Sequence, residues 1–142
     1  MARSSMQLVY FCHVSTSQDT VRAFFKDPQN LLKITPLGFL MSLSPREELR
    51  DGFRIKLKFL NFVLLMESLI REVDAYGFVD VAVKKPPLIK YWEHRHIIVP
   101  RGNSTLIEDR LTVEASIPNA LMKLMLNFIF SYRCKRIKEL LA

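Results

Sequence analysis

The pattern of apolar and polar residues changes three times along this chain. Met6–Val14 (MQLVYFCHV) is dense in β-formers, with apolar residues at both parities, and predicts a strand with apolar residues on both faces. Ser15-Thr16-Ser17 offers N-cap oxygens for a short helix over Gln18–Phe25, which would pack through Val21, Phe24 and Phe25. Asp27-Pro28 opens a second short helix through Leu31, Leu32 and Ile34. Thr35-Pro36 ends it, because the residue before a proline avoids helical angles. A period of two then takes over. Leu37–Leu43, Gly52–Leu60, Val63–Val73, Phe78–Val83, Ile89–Val99 and Thr105–Ser116 each read as strands. In Gly52–Leu60 the alternation points Phe53, Ile55, Leu57 and Phe59 inward and Arg54, Lys56 and Lys58 outward. Lys84-Lys85-Pro86-Pro87 breaks the sheet, since proline has no N–H for a ladder. Beyond Pro118 the helical period returns over Asn119–Leu141, a helix of about six turns. Leu121, Leu124, Met125, Phe128, Ile129 and Tyr132 make its wide apolar face.

The order is therefore strand, two short helices, six strands, long helix. Helices set apart from a run of strands predict an α+β fold, an antiparallel sheet with helices on one side. The 142 residues suit one domain spanning 1–142. A sheet curved around a single long helix does not fill the space between them, and such geometry leaves an apolar pocket of ligand size.

The densest chemistry lies in Tyr91–His96 (YWEHRH), which holds the only tryptophan and two of the three histidines. On a strand, Trp92, His94 and His96 share one face. A short turn around Gly102-Asn103 joins this strand to the next, so the two pair antiparallel. Glu108, Arg110, Thr112 and Glu114 mark the wet side of Thr105–Ser116, leaving Ile107, Asp109, Leu111 and Val113 for the core. Centring the turn between Gly102 and Asn103 sets His96 opposite Asp109, His94 opposite Leu111 and Trp92 opposite Val113. Directly opposed Cβ atoms lie about 4.5–5.5 Å apart, within hydrogen-bonding reach for His96 and Asp109. Two meanings stay open: the polar pair satisfies itself in the core, or Asp109 orients His96 while its other nitrogen meets a ligand. His94, His96 and Asp109 are also a nominal two-His-one-carboxylate set, but i, i+2 spacing without a second motif does not predict a metal, and none is expected. No serine sits in a nucleophile elbow. His13 reads as a strand-end residue and Tyr76, beside Gly77, as a rim residue. Glu67 and Glu72 fall on opposite faces of one strand.

Composition narrows the classes. Hydrophobic residues are 49% and charged residues 25%, as in globular proteins. No apolar run reaches the roughly 18 residues of a membrane span, and MARSSMQLVYFC reads as a first strand, not a signal peptide. The net charge is +7, but the basic residues are scattered, not gathered with aromatics on one element, so nucleic-acid binding is not expected. Cys12 and Cys134 lack metal spacing and imply packed thiols in a reducing, cytoplasmic setting.

The motifs resemble those of the SRPBCC, or START-like, superfamily, closest to its polyketide cyclase/dehydrase-like ligand-binding proteins. The carrying stretches are DPQNLLKITP (Asp27–Pro36), FVD (Phe78–Asp80), WEHRH (Trp92–His96), STLIEDRL (Ser104–Leu111) and IFSYR (Ile129–Arg133). Met66 stands where the family often has tryptophan, and Pro86-Pro87-Leu88 where it has Gly-Pro-Phe. The resemblance implies the helix-grip fold, six to seven antiparallel strands (β-α-α-β6-α) curved around the C-terminal helix. That superfamily contains lipid carriers, hormone and ubiquinone binders, aromatase/cyclases and bare binding modules, and some relatives sit beside sugar-nucleotide epimerase-like domains.

The expected function is binding of a lipid-like or aromatic small molecule between sheet and helix, without a cofactor. Trp92, Phe53, Ile55, Leu57, Ile107, Leu111, Met125 and Phe128 would be its apolar walls, and His94, His96 and Asp109 its polar contacts. The alternatives are a cyclase/dehydratase-like enzyme with His96 as acid or base and Asp109 as its orienter, and a module that meets a protein partner or an anionic membrane through the long helix. Homodimerisation is left open.

Overall fold

A computed structural model describes residues 5–74 and 76–141. The elements run β1 (Met6–Val14), α1 (Gln18–Lys26), α2 (Gln29–Lys33), a 3-10 turn (Gly38–Leu40), β2 (Met41–Ser44), β3 (Arg54–Phe59), β4 (Val63–Asp74), β5 (Gly77–Lys84), β6 (Ile89–Arg101), β7 (Ser104–Ala115) and α3 (Asn119–Leu141). The strands form one antiparallel sheet in the order β1-β7-β6-β5-β4-β3-β2, so every neighbour but β1–β7 is also a neighbour in sequence. The sheet curves around α3, the α+β helix-grip arrangement.

Local chemistry accounts for most boundaries. Ser17 Oγ accepts the Thr20 N–H and caps α1. Asp27 accepts the Gln29 N–H with its side chain as the chain enters α2. The expected strand Leu37–Leu43 is shorter than the alternation suggests. Leu37 takes a left-handed conformation (φ 60°) and starts the 3-10 turn, and only Met41–Ser44 pairs with β3. Gly38 allows this, because a Cβ there would lie 1.8 Å from the Leu32 carbonyl oxygen. Gly77 does the same for β5: with φ 143° it packs on the His96 carbonyl, bringing β5 against β6 at the histidines.

Three apolar clusters make the core. Val14, Val21, Ile34, Ile107 and Ile137 join β1, the small helices, β7 and the end of α3. Leu111, Val113, Met122, Leu126 and Phe130 seat the start and middle of α3 on β7. Leu43, Ile55 and Ile70 close the far side of the sheet.

Two expectations are corrected here. The inward face of α3 is Met122, Leu126, Phe130 and Ile137, not the set centred on Met125 and Phe128. Met125 is 47% and Phe128 64% exposed. The helix is apolar on nearly all sides, so period alone did not select the buried stripe. Cys12 and Cys134 are not free thiols but a disulfide from β1 to α3, with Cα atoms 5.5 Å apart. The inference of a reducing compartment from these cysteines loses its premise.

Glu67 is buried, yet it lies beside Arg54 and Lys56 of β3, which approach it to 3.5 and 3.8 Å. Glu72 is exposed and paired with Arg95 at 3.0 Å. No described helix is long and apolar enough to cross a membrane.

Candidate functional site

The β6–β7 register follows from the turn centred on Gly102 and Asn103. His96 lies opposite Asp109, His94 opposite Leu111 and Trp92 opposite Val113. On the other edge of β6, Phe78 lies opposite His96 and Asp80 opposite His94. The two registers gather Trp92, His94, His96, Asp80 and Asp109 on one face of the sheet, beneath α3.

Asp109 serves both imidazoles. Its Oδ1 is 2.6 Å from His94 Nε2 and 2.9 Å from His96 Nδ1. His94 Nδ1 lies 3.1 Å from Asp80 Oδ2, and Trp92 Nε1 donates to Asp80 Oδ1 at 3.2 Å. A ring held between two carboxylates by both nitrogens is built to be an imidazolium. Burial by itself would lower the His94 pKa, but the hydrogen bonds and charges of Asp109 and Asp80 outweigh it and raise it to about 9. Burial likewise opposes ionisation of Asp109, and the neighbouring His96 and His94 rings overcome it, holding the carboxyl far below the usual range.

His96 is the member with a free end. Facing the ionised Asp109, its Nδ1 must carry the proton, and the buried Nε2 has no partner. The ring lies between Phe25 and Phe78, with centroids at 4.2 and 5.1 Å. Arg133 descends from α3 with its guanidinium over the Phe130 ring at 4.6 Å. Its Nε is also buried and unpartnered, and among the described residues the side chain makes no hydrogen bond or ion pair. Burial lowers the Arg133 pKa, partly offset by the charges of Asp109 and Asp80. The polar centre thus holds two carboxylates, two imidazoles and a guanidinium, with two unfilled hydrogen-bonding positions at His96 Nε2 and Arg133 Nε.

These groups border a cavity of about 210 Å³ between the sheet and α3. Ile55, Leu57, Met66, Ile70, Ile129 and Phe130 are among its apolar walls, and Trp92, His94, His96, Asp80 and Arg133 its polar side. A second cleft of about 340 Å³, between Arg22, Phe25, Lys26, Asp74 and Phe78, also reaches His96.

Of the residues expected to line a pocket, Trp92, His94, His96, Ile55 and Leu57 border the cavity. Asp109 stands behind the histidines and orients them. Ile107 and Leu111 belong to the packed core, and half-buried Phe53 sits under the Arg50 guanidinium, away from the cavity. Met125 and Phe128 point outward. His13 is an exposed strand-end residue bonded to Ser104, and Tyr76 is exposed in its turn. Asp80 and Arg133 were not recognised as site residues, although both stand in the motifs FVD and IFSYR. Asp80 needed the β5–β6 register, and the long Lys84–Leu88 link offers no turn centre from which to set it. Arg133 needed the phase of α3.

A metal ion would find the donor atoms of His94, His96 and Asp109 within 4.8 Å of one another. The set does not suit one as it stands. The nitrogens facing Asp109 are already engaged by it, and a metal would have to displace the proton that Asp109 and Asp80 favour on His94.

No family model and no curated protein matches the sequence. Solved structures do. A START superfamily protein from Mycobacterium smegmatis superposes with a TM-score of 0.73 at 14% identity, covering 95% of this chain and 96% of that one. Major latex-like protein 151 from Panax ginseng gives 0.74 at 12% identity over 99% of each chain. A protein named as a nucleoside-diphosphate sugar epimerase, from Corynebacterium glutamicum, gives 0.70 at 21% identity, matching 95% of this chain to 28% of that longer one. At these identities the likeness establishes architecture, and the chain has the START-like, SRPBCC-type helix-grip fold.

Proposed function

We propose that this protein binds an amphipathic small molecule in the cavity between the sheet and α3. The ligand's apolar body would lie against Ile55, Leu57, Met66 and Ile129, and its polar end against Arg133 and His96. The observation that carries this reading is the pair of unfilled positions in an otherwise satisfied polar centre. Arg133 offers only donors, and His96 Nε2, with the other ring nitrogen turned to Asp109, offers an acceptor in the Nδ1–H tautomer. A ligand oxygen that accepts, together with a hydroxyl that donates, answers both, while apolar walls supply the affinity.

Trp92 is the only tryptophan and borders the cavity, so it reports occupancy directly. Titration with a panel of medium-chain alcohols, fatty acids and phenols should change Trp92 emission saturably and raise Tm. Leu57→Phe, which takes up cavity volume, should weaken every active compound. Unchanged emission and Tm across the panel would sink the proposal.

A second reading, acid–base catalysis by His96 oriented by Asp109, draws on the same free Nε2. It requires His96→Gln to abolish turnover of a bound compound while leaving its affinity within a few-fold. Equal turnover by the variant rules catalysis out.

A further inference from the structure

The antiparallel order brings four connections to one end of the sheet. They are the 3-10 turn entering β2, the β3–β4 turn, the β5–β6 link and the β7–α3 link. Backbone hydrogen bonds tie them in pairs: Leu60 N–H to the Leu40 carbonyl at 2.8 Å, and Ser116 N–H to the Leu88 carbonyl at 2.9 Å. This end carries large apolar side chains in solvent. Phe39 is 84% and Phe62 76% exposed, and Leu37, Leu60, Leu88 and Leu124 are exposed around them. Leu37 and Leu60 sit at φ 60° and 52°, positions that usually take glycine or asparagine. The turns therefore accept a steric cost to present leucine.

Charge is distributed with equal bias. The stretches 28–46, 52–66, 81–92 and 115–138, which feed this end, hold none of the 14 Asp and Glu residues. The nearest acids are Glu114, the last residue but one of β7, and Glu67 and Glu93, each four residues into its strand, and Glu67 is already paired with Arg54 and Lys56. Lys58, Lys84, Lys85, Lys90 and Lys123 stand around the apolar tips.

We infer that this end of the molecule docks on an anionic lipid bilayer, with Phe39 and Phe62 entering the interface and the lysines meeting lipid headgroups. Separate protruding tips suit a surface that deforms around them better than a flat protein face. A second copy of the chain would set lysine against lysine. Surroundings with five lysines and a single nearby acid, Glu114, fit the negative potential of an anionic leaflet, which adds attraction for each nearby lysine.

Flotation with phosphatidylcholine vesicles, with and without phosphatidylglycerol, tests this. The wild-type protein should bind only the anionic vesicles, and less so as salt rises. Phe39→Ser with Phe62→Ser should weaken binding by at least about tenfold, from lost apolar burial. Lys84→Gln with Lys85→Gln should weaken it by about tenfold or more. All these residues are exposed and none borders the cavity, so Trp92 emission and ligand titrations should be unchanged in both variants. Failure here thus leaves the cavity reading standing, and the converse holds as well. Absence of binding to anionic vesicles, or undiminished binding by the phenylalanine variant, overturns the inference. So does a wild-type dimer that the phenylalanine variant makes monomeric, which would assign the surface to a second copy.

Discussion

His94 is the residue on which the polar centre turns. It shares both ring nitrogens with carboxylates, while His96 shares one. Its folded pKa of about 9 stands above the ordinary 6.5. The ion-paired ring therefore contributes stability that is complete below about pH 6.5 and lost as pH rises through 9. The size is on the order of 3 kcal/mol at the acid end of that window. Urea unfolding should show stability declining between these pH values, and the His94 ring protons should titrate in NMR with a midpoint near 9. A midpoint at or below 6.5 would show that Asp109 and Asp80 do not hold the proton. Asp109 acts with the opposite sign: its depressed pKa contributes stability that is lost only as acid protonates it. Asp109→Asn leaves both imidazoles facing an amide, and breaking such a buried pair costs about 3–5 kcal/mol.

At the scale of elements, α3 decides what the sheet encloses. Tyr10 of β1 anchors it, stacking on Phe130 at 4.7 Å and donating its hydroxyl hydrogen to Asn127 at 2.6 Å. That contact fixes the rotation that points Leu126, Phe130 and Arg133 inward and Leu124 and Phe128 outward. Two leucines two residues apart should then respond differently. Leu126→Ala should cost about 2–5 kcal/mol in denaturant unfolding, and Leu124→Ala should stay within about 0.5 kcal/mol. Equal costs would mean that the helix is rotated from the position described.

For the whole molecule, the Cys12–Cys134 bond joins the first strand to the last helix across 122 residues. A cross-link closing so long a loop restricts the unfolded chain strongly and stabilises typically by 2–4 kcal/mol. Unfolding with and without reductant should differ by about that amount, and a thiol assay on the denatured, unreduced protein should find none. Identical midpoints under both conditions would contradict the cross-link. The same closure pins the end of α3 over β1, while the other flank of the helix borders the cavity.

How much of this was legible in the sequence depends on the range of the interaction that specifies it. Strand alternation and caps act over a few residues, so the element order was readable from the chain. The β6–β7 register was readable too, because a short turn transmits it to His96 and Asp109. The pairing of Asp80 with His94 crosses a proline-containing link of no standard geometry. The phase of a helix apolar on nearly all sides rests on Tyr10, more than a hundred residues away. The disulfide and the lysine-rich, acid-poor end likewise arise when distant segments meet. Local patterns were enough to specify the elements and to single out Trp92, His94, His96 and Asp109, but not Asp80 or Arg133. Tertiary packing alone decided which of those side chains share the cavity, because that choice depends on contacts between segments whose local patterns fit more than one arrangement.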